Sequence, residues 1–311
     1  MSLPALLPAV HDYLALRRSF GYVLAGQDGP LADFAGYLDR AGLGTVTVEA
    51  ALAWAVGAGA TQLRHYQRLA MVRGFAAYLQ AIDPSCEVPP KDLLPEGRRR
   101  VPPHIYSDEE LVELMRLSRL LRPPLRALTA ETAIRLLAVT GLRSGELVRL
   151  RRDDVDLDAG RLRVIATKFN KSRELALHAT TVEVLEEYRR ARDLCWPPSA
   201  TSGFFVSSRR GRLGQTTLEQ TFTQLVGQAG LVPPPGPRAR RPRLHDLRHS
   251  FAVGTLLRWH RAGLDVQALL PALSAQLGHV DPASTYWYLT GVPELLAVAV
   301  ERARASREAR Q

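Results

Sequence analysis

The chain has 311 residues, of which 46% are hydrophobic and 23% are charged. This composition is that of a folded protein with a hydrophobic core, and the length predicts two domains. The most apolar runs, residues 50–60 and 294–300, are too short to span a bilayer. The 41 Lys and Arg residues exceed the 31 Asp and Glu residues, which leaves a formal charge of +10. That surplus suits a polyanionic partner, namely DNA, RNA or an anionic membrane surface.

Residues 1–88 are predicted to form an all-helical domain. Apolar residues recur at helical spacing in two stretches before residue 42. A third helix is expected after Thr47, which is placed as a cap, and a fourth is expected over residues 62–80. Four short helices without a strand suit a small DNA-clamping domain, and they suit many other helical bundles equally well.

Residues 89–104 contain five prolines and the run Arg98–Arg100. Few helices or strands tolerate that many prolines, so an extended linker between two domains is predicted. Its arginines are either solvated or lie along a polyanion backbone. The second domain is predicted over residues 105–311. It begins with a capping-box pattern, Ser107-x-x-Glu110, in front of a helix.

The second domain is predicted to be mostly helical with one small β-hairpin, so the whole chain is mainly α. A long helix over about residues 125–139 leads to Gly141. A helix of about two turns is expected after Arg143, ending near Asp153. The remaining predicted elements are a hairpin with its turn at Asn170, helices over residues 180–192 and 216–229, a short apolar stretch at residues 204–207, a stiff basic loop at residues 233–243 and a helix from near His245.

Five short motifs in the second domain carry guanidinium, ammonium, imidazole or phenol groups. They are TGLRSGEL around Arg143, ATKFNK around Lys168, HDLRHSFA with His245 and Arg248, LGH ending at His279, and TYWYL with Tyr288. In this order they resemble the tyrosine recombinase (phage integrase) family, and the resemblance covers the C-terminal two-thirds of the chain. Each motif alone is a modest signal, whereas the ordered set with a basic charge balance is a strong one.

The resemblance implies a helical core-binding (SAM-like) domain, a catalytic domain, and a recombinase that cuts and rejoins DNA through a 3′-phosphotyrosine. Tyr288 would be the nucleophile, because it lies nine residues after His279, the usual spacing in the family. Tyr286 is the alternative. Ionising a tyrosine with a pKa of ~10 at pH 7 costs about 4 kcal/mol, so positive neighbours must offset that cost.

Two arginines are expected to hold the scissile phosphate. Arg143 and Arg248 would bind its non-bridging oxygens and stabilise the charge that develops there. Glu146, three residues after Arg143, is expected to orient that arginine rather than to take part in the chemistry. The alternative for each arginine, taken alone, is a surface salt bridge.

The resemblance also assigns roles to a lysine and two histidines. Lys168 would protonate the leaving 5′ oxygen. Since the common Gly-Lys-Gly of the family is Thr-Lys-Phe here, Lys171 is the alternative. His245 and His279 would hydrogen-bond the phosphate or help to move protons, and the alternative for each is a buried structural histidine.

No cofactor is expected. His245 and His249 have the i, i+4 spacing of a helical metal pair, but Arg248 between them would oppose a divalent ion. The sequence lacks a Gly-rich phosphate loop with Lys-Ser/Thr, so ATP is not indicated. In the implied reaction the phosphotyrosine itself stores the bond energy for resealing.

The implied partner is double-stranded DNA with inverted half-sites, bound by a dimer at each site and a tetramer in synapsis, of this chain alone or with related recombinase subunits. The last helix, Pro293–Arg302, would dock on a neighbouring subunit or complete its own core. The TYWYLT motif is similar to those of mobile-element recombinases. A type IB topoisomerase and a non-catalytic DNA-binding subunit of a transposition system are the alternatives.

Cys86 and Cys195 predict free thiols in the cytoplasm, and the N-terminus has no signal-peptide pattern.

Overall fold

The structure is a computed structural model. It describes residues 6–22, 24, 26–57, 59, 61–95, 102–165, 172–197, 201–209, 211–232 and 240–278. The described residues form eleven α-helices and a three-stranded antiparallel sheet. The predicted fold class, mainly α with a small sheet, is therefore confirmed. None of the described helices is both long enough and apolar enough to cross a membrane. The chain divides into two compact units, Met1–Arg100 and Val101–Gln311.

The N-terminal unit is built from four helices around one apolar core. In chain order they are α1 (Leu6–Ser19), α2 (Asp28–Arg40), α3 (Val48–Val56) and α4 (Gln62–Gln80). Thr47 caps α3 as predicted, because its Oγ1 accepts the backbone N–H of Ala50 at 3.2 Å. Phe34 of α2 and Phe75 of α4 are fully buried. Each helix thus turns its apolar face inward, and the burial of these faces holds the unit together.

The segment after α4 packs back onto the same unit. The Arg73 guanidinium of α4 donates to the carbonyls of Pro89 and Pro90, both at 2.7 Å. Cys86 is buried in the apolar core. The first part of the predicted linker therefore lies against α4, while Arg98–Arg100 fall outside the described residues.

The C-terminal unit contains the other seven described helices and the sheet. These helices are α5 (Asp108–Ser118), α6 (Pro124–Thr140), α7 (Ser144–Arg149), α8 (Ala179–Cys195), α9 (Gln215–Gln228), α10 (Asp246–Arg261) and α11 (Val266–Leu277). The capping box predicted for α5 is present. Ser107 Oγ accepts the Glu110 backbone N–H at 3.2 Å, and the Glu110 carboxylate accepts the Ser107 N–H at 3.0 Å.

Helix α6 runs through the core of this unit, and eleven of its 17 residues are buried. Burial of most of the helix fixes its position in the unit, so its end determines where the next segment starts. It ends at Gly141, which has a left-handed backbone (φ 67°). A Cβ at Gly141 would lie 2.5 Å from Phe251 Cδ1 and 2.8 Å from Leu277 Cδ2. Glycine therefore allows α6 to end in close contact with α10 and α11.

The sheet has the strand order β1–β2–β3 and is antiparallel throughout. Its strands are β1 (Val155–Asp156), β2 (Arg161–Val164) and β3 (Arg173–Ala176). Leu162 and Leu175 are paired across β2 and β3 and are both buried. Strands β2 and β3 are the predicted hairpin, whose turn at Asn170 lies outside the described residues. Strand β1 was not predicted, because two residues are too short to show an alternating pattern.

The helix after Arg143 is shorter than the sequence suggests. The expected end near Asp153 is wrong, because α7 ends at Arg149. The backbone of residues 150–152 instead hydrogen-bonds to residues 202–204, at 2.8 and 2.9 Å. These bonds draw the chain out of the helix, and a short 3-10 turn follows before β1.

Candidate active site

Three of the six predicted catalytic residues lie in the described part of the chain, namely Arg143, His245 and Arg248. The others fall outside it: Lys168, His279 and Tyr288, with the alternatives Lys171 and Tyr286. The described part of the site is formed by the start of α7, the start of α10 and the end of α11. The last of these directly precedes His279.

Arg143 is the residue that precedes α7, and it follows the end of α6 closely. Its Nη1 donates to Glu146 Oε1 at 2.9 Å, and its Nη2 donates to the carbonyl of Gly278 at 3.2 Å. The side chain remains 37% exposed. The guanidinium is thus held by the protein on one side and open to solvent on the other, where an anion can reach it.

Arg248 lies in the first turn of α10 and is almost fully buried, with 2% of the residue exposed. Its Nη1 donates to the carbonyl of Gly141 and its Nη2 to the carbonyl of Leu277, each at 2.7 Å. Both are short, charge-assisted hydrogen bonds. They join the end of α6 to the end of α11, beside the segment that carries Arg143.

The C-terminal end of α11 collects three arginines, which we call the arginine cluster. The carbonyls of residues 276, 277 and 278 accept hydrogen bonds from Arg173 (2.8 Å), Arg248 (2.7 Å) and Arg143 (3.2 Å), respectively. The last carbonyls of a helix have no partner within it and form its negative end. They therefore attract guanidinium groups and offset the repulsion among them. The fold thus brings together Arg143 and Arg248, the two predicted phosphate ligands.

Glu146 organises two members of the cluster. Its buried carboxylate accepts Arg143 Nη1 and the Arg143 backbone N–H, and it accepts Nη1 and Nη2 of Arg173 at 3.2 and 2.8 Å. Burial alone would raise the pKa of Glu146. The hydrogen bonds from Arg173 and from the Arg143 backbone, with both positive charges, nevertheless lower that pKa to about 2. Glu146 is therefore ionised at neutral pH and in contact with Arg143, as expected from the sequence.

Arg173, the first residue of β3, is a member of the cluster that was not predicted. Its side chain is 12% exposed, and its contacts with Glu146 and with the Gln276 carbonyl span 27 and 103 residues of sequence. No local pattern reports contacts of that range. Only the folded chain reveals that Arg173 belongs to the site.

Two histidines lie beside the cluster. Burial lowers the pKa of His245, and the positive charges of Arg248 and Arg143 lower it further. Its ring meets the His249 ring edge to face, with centroids 5.0 Å apart. Burial, followed by the charge of His245, lowers the pKa of His249 to about 4. Both rings are neutral at pH 7, when an imidazole donates one hydrogen bond and accepts another. Across the described ranges, no three His, Cys, Asp or Glu side chains form a group suited to a metal ion.

The charge balance of the described site suits an anionic ligand. Arg143, Arg173 and Arg248 bring three positive charges to the end of α11, and Glu146 brings one negative charge. A phosphodiester carries one negative charge, and a guanidinium binds its oxygens through paired N–H groups. The described residues therefore carry a net positive charge at the end of α11, which suits an anion such as a phosphate, and a neutral imidazole lies nearby.

Known proteins resemble this chain in sequence and in fold. Residues 107–292 match the model of the phage integrase family. The chain is 41% identical, over 94% of its length and 95% of the other, to y4rB of Sinorhizobium fredii (strain NBRC 101917 / NGR234), which is named as an integrase/recombinase. It is 33% identical to the tyrosine recombinase XerC of Stutzerimonas stutzeri (strain A1501), over 71% of this chain and 67% of that one. This chain shares its fold with the crystal structure of a lambda integrase tetramer bound to a Holliday junction, with a TM-score of 0.59. The two sequences are 16% identical, and the match covers 88% of this chain and 77% of that chain.

Proposed function

Because the chain belongs to the phage integrase family and is a tyrosine-type DNA recombinase, we propose that it breaks and rejoins DNA at specific sites through a 3′-phosphotyrosine. Tyr288 is the nucleophile in this proposal. Its phenol oxygen forms a bond to the scissile phosphorus, the bond from phosphorus to the 5′ oxygen breaks, and a 5′-hydroxyl is released. Rejoining reverses both changes. The phosphotyrosine conserves the bond energy, so the scheme includes neither ATP nor a metal.

The convergence of Arg143 and Arg248 on the end of α11 is the observation that supports this proposal most strongly. In the scheme both guanidinium groups bind the non-bridging oxygens of the scissile phosphate. Negative charge grows on those oxygens in the transition state, and donors that are already in place stabilise it without reorganising. Loss of one such donor typically slows catalysis by ~10²–10³.

The other proposed roles concern protons. Lys168 gives a proton to the departing 5′ oxygen. His245 and His279 hydrogen-bond the phosphate or relay the proton that Tyr288 loses. The lowered pKa of His245 supports its hydrogen-bonding role, because the ring is neutral at pH 7 and can donate one hydrogen bond and accept another.

We further propose that both parts of the chain contribute to DNA binding. Residues 1–88 act as the core-binding domain, residues 105–311 as the catalytic domain, and residues 89–104 as the linker. The positive charge of +10 supports a DNA partner. A dimer binds inverted half-sites and two dimers form a tetramer, of this chain alone or with related recombinase subunits. The fold shared with lambda integrase, whose structure is a tetramer on a Holliday junction, supports this assembly by analogy.

A suicide substrate tests the proposal. Half-sites are first selected by binding from a random pool of duplexes, and a nick is then placed beside the cleavage point so that the short cut fragment diffuses away. The wild-type protein should give a covalent adduct that resists detergent. The adduct should be absent with Tyr288→Phe and retained with Tyr286→Phe. Arg143→Ala should lose far more cleavage than binding.

Other outcomes would overturn parts of this scheme. An adduct that survives Tyr288→Phe would move the nucleophile to another residue. Equal losses of cleavage and binding in Arg143→Ala would make that arginine a binding contact only. Relaxation of supercoiled plasmids that lack the selected site would indicate a topoisomerase. Site-specific binding without any adduct would indicate a non-catalytic DNA-binding subunit.

A further inference from the structure

We propose that Arg173 is a positioning residue for the reaction. It fixes Glu146, and through Glu146 the phosphate ligand Arg143, and it fixes the end of α11 that leads to His279. The inference rests on the proposed function, because it takes Arg143 to bind the scissile phosphate. Arg173 itself is assigned no contact with DNA.

All three nitrogens of the Arg173 guanidinium contact the protein. Nη1 and Nη2 donate to the two oxygens of Glu146 at 3.2 and 2.8 Å, and Nε donates to the Gln276 carbonyl at 2.8 Å. The side chain is 12% exposed, compared with 37% for Arg143. The planar guanidinium group of an arginine can donate hydrogen bonds to a carboxylate and a carbonyl at once, whereas a lysine has a single nitrogen donor. The geometry therefore directs Arg173 toward the protein and leaves Arg143 to meet an anion.

Arg173 joins three segments that each lead to a proposed catalytic residue. Its carboxylate partner lies in α7, which begins directly after Arg143. Its carbonyl partner lies in the last turn of α11, three residues before His279. Arg173 itself opens β3, and Lys168 lies in the connection between β2 and β3. One side chain thus ties together the segments that supply a phosphate ligand, a histidine and the proposed acid.

Gly278 shows how closely the backbone before His279 packs against this guanidinium. A Cβ at Gly278 would lie 2.7 Å from Arg173 Nη1 and 3.0 Å from its Cζ. Gly278 also has a left-handed backbone, with φ 65°. Glycine is therefore required twice, by its conformation and by the neighbouring arginine. The backbone at the end of α11 therefore packs directly against the Arg173 guanidinium.

Arg173 also contributes most to keeping the Glu146 carboxylate ionised. Among the influences that lower the pKa of Glu146, the side-chain hydrogen bonds from Arg173 are the largest. Without Arg173 the buried carboxylate would keep only its contacts with Arg143 among those described here. Its hold on Arg143 should then loosen, and displacement of a reacting group by about 1 Å can slow a reaction by ~100-fold.

The test uses full-length protein on the nicked suicide substrate and compares Arg173→Ala and Arg173→Lys with Arg163→Ala. Arg163 is a matched control, because it lies in the neighbouring strand β2 and is 55% exposed, opposite an equally exposed Glu174. Single-turnover adduct formation measures the chemical step, and binding to the intact duplex measures affinity. We expect Arg173→Ala to slow adduct formation by about 100-fold and to change Kd by less than about threefold. Arg173→Lys should remain slow, and Arg163→Ala should form the adduct at the wild-type rate.

A double variant separates positioning from general damage to the fold. If Arg173 acts through Arg143, adding Arg173→Ala to Arg143→Lys should slow cleavage little beyond Arg143→Lys alone. Independent effects would multiply instead. Circular dichroism and the unfolding midpoint report whether each variant folds. If Arg173→Ala does not fold, Arg173→Lys takes its place in both comparisons.

The two proposals fail in different ways. Wild-type cleavage rates in the Arg173 variants, or fully multiplicative effects in the double variant, would overturn the positioning role and leave the recombinase scheme intact. Absence of any adduct with the wild-type protein would overturn the recombinase scheme and the positioning role together. Slow cleavage with near-normal Kd and non-multiplicative effects would support both.

Discussion

Replacing Glu146 with glutamine keeps the size of the side chain and removes its charge. The pKa of Glu146 falls from 4.5 to about 2 in the folded protein. At about 1.36 kcal/mol per pKa unit, this shift corresponds to roughly 3 kcal/mol of stabilisation at neutral pH. Breaking a buried ion pair from one side costs a similar ~3–5 kcal/mol. We therefore expect Glu146→Gln to lower the free energy of unfolding of the C-terminal unit by about 3 kcal/mol at pH 7.

The dependence of this loss on pH gives a stricter test. Because the folded pKa of Glu146 lies below its unfolded value, its contribution is complete above about pH 4.5 and declines as the pH falls toward 2. Urea unfolding of both proteins, followed by circular dichroism, should show a difference that shrinks from pH 4.5 downward. Glu174→Gln is the control, since this side chain is 58% exposed and should change stability by less than about 0.5 kcal/mol. A difference below about 1 kcal/mol at pH 7, or one that stays constant down to pH 3, would refute the reasoning.

Three further predictions concern the same region. Gly278→Ala places a Cβ 2.7 Å from a guanidinium nitrogen of the cluster and should cost at least about 1–2 kcal/mol in unfolding free energy for the left-handed backbone alone. Gly227→Ala in α9 is the control, because a Cβ there meets nothing within 4 Å, and this variant should be neutral or stabilising. Similar losses of unfolding free energy in both variants would contradict the requirement for glycine at position 278. The His249 ring should stay neutral in NMR titration down to about pH 4. Because its folded pKa lies below the unfolded value of ~6.5, the free energy of unfolding should fall as the pH drops from about 6.5 to 4. His249→Gln should reduce that loss. Phenylglyoxal should modify Arg143, with 37% of its side chain exposed, faster than Arg248, with 2% of the residue exposed, and equal rates by mass spectrometry would contradict the described geometry.

The helices that could be predicted are those with local signals. The cap at Thr47 and the capping box of Ser107 and Glu110 are short-range patterns, and the structure shows both. Helix α11 could not be predicted in this way, because Pro271 lies inside it and ordinarily marks a break. Its buried leucines share an apolar cluster with Ala252, Val253 and Leu256 of α10. That tertiary burial outweighs the local preference.

The site shows the same division between local and long-range information. Motifs identified the residue types that a phosphate needs, and they predicted the contact between Glu146 and Arg143. They could not show that backbone carbonyls of α11 bind three arginines, because a carbonyl acceptor has no sequence signature. Arg173 was missed for this reason. Its role depends on partners in α7 and α11 that only the fold brings close.

The arginine cluster explains how like charges stay together before a phosphate arrives. The negative end of α11 and the Glu146 carboxylate hold the guanidinium groups in place. In the proposed reaction the charge of the transition state would therefore meet donors that are already oriented. The two proposed phosphate ligands are nevertheless unequal, because Arg143 is partly exposed and Arg248 is buried. In the proposed scheme Arg143 is therefore the ligand that a phosphate meets first. Since Arg143 and Arg248 both bind carbonyls at the end of α11, the position of that end sets the positions of both proposed ligands.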